Sequence, residues 1–96
     1  MKKTKFETAV ALHVGQKIKE LREEHKVSLR RLADYLSIAF QTISSYERGK
    51  ASIQLHHLVM CAEYLDVNIS YFFEDIDSSQ KRVETYEEYI IKKDVH

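Results

Sequence analysis

The chain has no proline and no tryptophan, glycine only at positions 15 and 49, and one cysteine, Cys61. A sequence so poor in turn punctuation is unsuited to many short strands, so an all-helical fold is expected. A lone cysteine cannot close an internal disulfide, and a reducing, cytoplasmic setting is the simpler assumption. No apolar run approaches the roughly 20 residues that span a bilayer. The opening stretch MKKTKFETAV is basic but has no apolar run after it, so no secretory signal is expected. Glycine-rich phosphate loops are also missing.

Of the 96 residues, 44% are hydrophobic, which suits one globular domain and not two. A core of this size is marginal alone, and a partner chain would help it. Charge sums to zero but is unevenly spread. Residues 1–50 hold 11 Lys and Arg against 6 Asp and Glu, whereas residues 51–96 hold 4 against 9. This suggests a basic face for phosphate and an acidic half turned away from it.

Periodicity divides the chain into an extension (1–13), a compact helical domain (14–74) and a tail (75–96). Phe6, Val10 and Val14 have helical spacing, but the first full helix is expected over about 14–26, with Val14, Ile18, Leu21 and Arg22 on one side. Ser28 reads as the cap of a second helix, LRRLADYL, whose Leu29, Leu32, Ala33 and Leu36 recur at i, i+3, i+4 and i+7. After the short turn SIA comes a third, FQTISSYER, stopped by Gly49. A fourth helix carries Leu55, Leu58, Val59, Ala62 and Leu65 as its apolar set. Asn68 or Ser70 caps a short fifth helix, SYFFED. In the tail, Val83, Tyr86 and Ile90 fall on one stripe, so a further C-terminal helix is expected.

The third helix raises the functional question. Ile43 and Tyr46 suit a core, yet the opposite stripe is Gln41, Ser44, Ser45 and Arg48. Serine is a mediocre helix former, so stability explains this face poorly. Two helices joined by three or four residues cross steeply, as in a helix-turn-helix unit. Glutamine can pair with adenine, serine with most base edges, and a phenyl ring such as Phe40 can meet a thymine methyl. Arg30 and Arg31 lie in the first turn of the second helix, where cations are unfavourable by about 0.3–1 kcal/mol. A phosphate held by Ser28, backbone N–H groups and Arg30 would reverse that sign.

With IKELR, SLRRLA, TISSYERGK and LHHLVMCAEYLDV in this order over positions 14–73, the sequence resembles the phage repressor/Cro-type (XRE-like) helix-turn-helix family, in its bacterial regulator branch. The resemblance implies a five-helix all-α domain, here with the additional C-terminal helix, that binds double-stranded DNA. It implies base contacts from Phe40, Gln41, Ser44 and Ser45. It also implies phosphate contacts from Ser28, Arg48 and Lys50, beside which Arg30 and Thr42 are expected to serve phosphate too, and a structural ion pair of Arg22 with Glu47. It further implies a transcriptional regulator, in first place a repressor, acting as a homodimer on a palindromic operator. No cofactor, metal or small-molecule effector is expected. Four positions depart from the family pattern. Ser37 stands at the turn position usually held by glycine, and Ala39 at the usual Ser or Thr cap. Leu29 replaces a polar residue and Ile53 a loop proline.

The residues also admit two other readings. His57 and Cys61, four apart with Glu63 nearby, could share a metal or form a nucleophile pair, but two ligands are too few and a buried inert thiol is favoured. Alternatively, the same fold could serve as an antitoxin or accessory module that binds protein. The tail could fold back on its own domain or pair with a second copy, and pairing is favoured.

Overall fold

A computed structural model describes residues 4–76. It contains α1 (Lys5–Glu24), α2 (Leu29–Leu36), α3 (Phe40–Glu47), α4 (Leu55–Tyr64) and a 3-10 helix (Ile69–Phe73). The described residues contain no strand. The expected fifth helix is thus a short 3-10 segment, and the four α-helices precede it. Asn68 caps it, with Oδ1 accepting from the Ser70 N–H at 2.9 Å. The expected C-terminal helix over residues 78–96 lies outside the described residues.

Helix α1 is longer than its apolar spacing predicts, and it begins within the expected extension. Thr4 and Glu7 form a capping box. Thr4 Oγ1 accepts from the Glu7 N–H at 3.0 Å, and Glu7 Oε1 accepts from the Thr4 N–H at 2.7 Å. That T-x-x-E pattern stands in the sequence, and it carries the helix start back to Lys5.

All four α-helices stop in the same way, which explains how so few glycines suffice. The N–H groups of Val27, Ile38, Lys50 and Val67 donate to the carbonyls of Arg22, Ala33, Ser45 and Ala62, at 3.0–3.1 Å. Such a closure needs a left-handed residue just before the donor. Lys26, Ser37, Gly49 and Asp66 supply it, with φ of 57°, 58°, 72° and 59°. Away from glycine this costs about 1 kcal/mol per site. Among these four stops glycine is obligatory only at 49, where a Cβ would lie 2.7 Å from the Leu12 Cα.

The core takes side chains from every element. Ile18, Leu32, Ile43, Cys61, Leu65 and Phe72 are fully buried. The phase of α4 differs from the expectation. Leu55 is 74% exposed and Val59 42%, whereas His57 and Cys61 face inward beside Leu58 and Ala62. The inward turn is explained by Tyr46 of α3, whose hydroxyl meets His57 Nδ1 at 3.1 Å. Neutral imidazole with such a partner can be buried at little cost.

The 3-10 segment packs on α1 and α4. Its exit is strapped to α1. The His13 Nε2–H donates to the Glu74 carbonyl at 2.7 Å. Lys17 Nζ lies 3.7 Å from Asp75 Oδ2 and 5.0 Å from the Tyr71 ring centroid. Helix α1 also packs closely on α3. A Cβ at Gly15 would collide with the Tyr46 carbonyl oxygen and sit 2.9 Å from that of Glu47. Gly15→Ala would be stabilising by about 0.5–1 kcal/mol on an exposed helix. Here the collision is expected to reverse the sign and cost about 1–3 kcal/mol. Thermal melting checks this, and a raised melting temperature would contradict the close approach.

Candidate nucleic-acid interface

The interface is built from α2, a three-residue turn and α3. Ser28 Oγ accepts from the Arg31 N–H at 3.1 Å and starts α2. Ser37 takes the left-handed turn (φ 58°, ψ 42°), and Ala39 stands at the α3 cap with no side-chain hydrogen bond. The first N–H groups of α3 are therefore left for water or an outside acceptor.

One side of α3 is fixed to the domain. Ile43 and Tyr46 are buried, and so is the charged Glu47, at 6% exposure. Arg22 of α1 answers that charge with two bonds, Nε to Glu47 Oε2 at 2.7 Å and Nη2 to Oε1 at 3.1 Å. Its Nη1 donates to the Val27 carbonyl at 2.8 Å, just past the end of α1. The hydrogen bond to Glu47 raises the guanidinium pKa above its already high ordinary value. The pair thus ties α1, its exit and α3 together, away from the outward face.

The opposite side of α3 is open. Phe40, Gln41 and Arg48 are exposed, as is Lys50 beyond the helix, while Thr42, Ser44 and Ser45 are half-buried on its shoulders. Arg48 folds along its own helix, with Nε donating to the Ser44 carbonyl at 3.4 Å. On α2, Ser28 and Arg30 are exposed. The structure joins the two helices on this side through Arg30, whose Cζ lies 5.2 Å from the centroid of the Phe40 ring. Sequence reasoning missed this contact, as it missed Gly15 and the Tyr46–His57 bond. Each links residues across a turn or between elements, where no periodicity reports them.

The catalytic alternative finds no support in the site's chemistry. Cys61 is fully buried, and burial pushes its thiol pKa up to about 12, so it is an inert core thiol at neutral pH. His57 is engaged by Tyr46. Among the described residues, no three His, Cys, Asp or Glu cluster as metal ligands.

The helix-turn-helix family (HTH_3) matches residues 18–72, which hold every element from the middle of α1 to the 3-10 segment. The chain belongs to the XRE-type helix-turn-helix family. Its relatives are regulators by name. An uncharacterised HTH-type transcriptional regulator of Rickettsia prowazekii is 38% identical over 68 residues, 71% of this chain and 52% of that protein. An uncharacterised transcriptional regulator in the ATPase CF(0) region of Rhodospirillum rubrum is 36% identical over 73 residues, 76% of this chain and 68% of that one. The chain spans about half the length of several curated relatives (52%, 54% and 47% of three of them). Among solved structures, the restriction-modification controller protein C.AhdI of Aeromonas hydrophila superposes with a TM-score of 0.62 at 25% identity, over 66% of this chain and 96% of that one. The family is one of DNA-binding transcription regulators, with bacterial homologues.

Two outcomes test how this XRE-type domain holds α3. Arg22→Ala leaves the Glu47 carboxylate buried and unpaired, and a loss of about 3–5 kcal/mol is expected by thermal or urea melting. An unchanged melting curve would refute the structural role of the pair. The second concerns His57, whose pKa is lowered by burial and then by the charge of His56. Folding therefore favours the neutral ring. Above the ordinary value of 6.5 both states are neutral. As pH falls below it, the unfolded chain takes the proton first and stability drops. The drop should level off once pH passes the folded value. His57→Gln should flatten this acid-side slope, and an equally steep slope in the variant would contradict the assignment.

Proposed function

We propose that the chain binds specific sequences in double-stranded DNA as a homodimer and acts as a cytoplasmic transcriptional regulator, most simply a repressor, with α3 reading the major groove. The observation that carries this reading is the division of α3. Ile43, Tyr46 and Glu47 are buried, whereas Gln41 and Arg48 stand outside with the serines between. In this reading Phe40, Gln41, Ser44 and Ser45 meet base edges, and Ser28, Arg30, Thr42, Arg48 and Lys50 serve the backbone. The basic first half of the chain supports the same face. No catalytic role is proposed.

The dimer has its own support. Leu55 (74%), Val59 (42%) and Phe73 (44%) are exposed on α4 and the 3-10 segment. Leu55 and Phe73 also line a groove of about 310 Å³, together with Phe6, Val10 and Ile53 among others. A small domain gains by covering such a surface. In this arrangement residues 14–74 form the DNA-binding unit and the tail from 75 adds to the pairing. Two copies would read half-sites about 34 Å apart, hence a palindromic operator.

An antitoxin or accessory role on a protein partner is the second reading. It is favoured by the acidic second half and by that apolar surface. The polar face of α3 favours DNA.

In vitro selection from a random duplex library at two salt concentrations tests the proposal. An enriched palindrome is expected, with binding that weakens steeply as salt rises. Absence of any enrichment would refute it. On the selected site, Gln41→Ala should cost about 1–3 kcal/mol at one base position. Lys50→Ala should weaken all sequences alike and lower the salt slope by about one. Unaltered operator selectivity in Gln41→Ala would show that α3 is not the reader.

A further inference from the structure

We propose that Arg30 and Phe40 form one recognition unit for a thymine adjacent to a guanine, Phe40 meeting the thymine methyl and Arg30 the guanine edge. This rests on the reading that α3 enters the major groove, and it reassigns Arg30 from the backbone to a base.

Arg30 differs from Arg22 and Arg48 in what it leaves unengaged. Arg22 spends its guanidinium on Glu47 and the Val27 carbonyl, and Arg48 turns back on the Ser44 carbonyl. Among the described residues, no hydrogen-bond acceptor or carboxylate engages Arg30. Its guanidinium lies over the Phe40 ring, with Cζ 5.2 Å from the centroid. An exposed arginine held this way loses swing but keeps its donors. It also sits in the first turn of α2, where a cation is unfavourable until an acceptor faces it. The fork is set and lacks a partner.

A planar two-pronged acceptor suits this fork, and DNA offers two: a phosphate, or the O6 and N7 of guanine. Phe40 decides between them. It is the first residue of α3, the end that penetrates furthest in such domains. A guanidinium stacked on that ring is carried toward the base edges. A phosphate contact needs only a point charge, which a free lysine supplies without a stacking partner.

Phe40 is itself 39% exposed, an apolar ring on an otherwise polar face. In the major groove the apolar feature that a ring can meet is the C5-methyl of thymine. With Arg30 over the ring, the methyl and the guanine it reads must be neighbours.

The test uses the full chain and the operator obtained by selection. Two base analogues delete one group each: uracil for thymine removes the methyl, and 7-deazaguanine for guanine removes N7. For the unmodified protein, each is expected to lower affinity about tenfold at one of two adjacent positions, and little elsewhere. Phe40→Ala should make the uracil substitution silent. Arg30→Ala, which removes the donors, should make the 7-deazaguanine substitution silent. Melting curves confirm that these exposed-site variants fold. If Arg30→Ala instead weakens every duplex alike, lowers the salt slope by about one, and leaves the 7-deazaguanine effect intact, the guanidinium holds phosphate and the proposal fails. If both analogues are silent everywhere on a site the protein does select, the unit reads neither group and the proposal fails alone. If no sequence is selected at all, the DNA-reading function fails first and takes this unit with it.

Discussion

Glu47 is a carboxylate at 6% exposure on the helix that faces outward, and a charge so placed costs several kcal/mol unless it is paired. Arg22 cancels that cost only while α1 and α3 keep their present contact, because both of its bonds to Glu47 require the two helices in register. The third bond, to the Val27 carbonyl, requires α1 to end where it does. Gly15 lets the helices close to that distance, since any side chain there would meet the α3 carbonyls. The pair and the glycine together hold α3 by its inner side. The outer side is then released from any duty in folding.

That release explains the composition of α3. Its serines and glutamine contribute little to helix stability, and its cap is an alanine whose side chain makes no capping hydrogen bond. Eight residues of this kind would not form a stable helix alone. Tertiary contacts supply what propensity withholds: Ile43 in the core, Tyr46 against His57, and Glu47 against Arg22. The exposed face can then be chosen for recognition. The same logic governs the turn. Ser37 tolerates a left-handed backbone because the Ile38 N–H closes on Ala33 and the side chain of Ile38 packs against the core.

Much of this was legible in the sequence, and the losses have physical causes. Helix α2 was readable to the residue, because its apolar spacing and Ser28 cap agree. The left-handed Ser37, the uncapped Ala39 and the Arg22–Glu47 partnership followed from family resemblance, and the geometry shows each. Helix α4 was legible in part: Leu58, Ala62 and Leu65 are buried as expected, whereas Leu55 and Val59 are exposed and the polar His57 is buried in their stead. Only the Tyr46 hydroxyl, eleven residues away in sequence, makes the inward histidine sensible. The start of α1 was not read from the sequence, where no strong cap was recognised ahead of Val14, although Thr4 and Glu7 form a capping box there. The stack of Arg30 on Phe40 spans a turn, and no one-dimensional pattern carries it.

In the proposed reading, recognition lies on the α2–α3 face and the opposite side serves cohesion. Backbone amide shifts, followed by NMR as the selected duplex is titrated into the protein, test this division. The largest changes should fall in residues 28–31 and 39–50, with α4 and the 3-10 segment little moved by DNA. Changes concentrated on α4 around Leu55 and Val59, with α3 silent, would contradict the account.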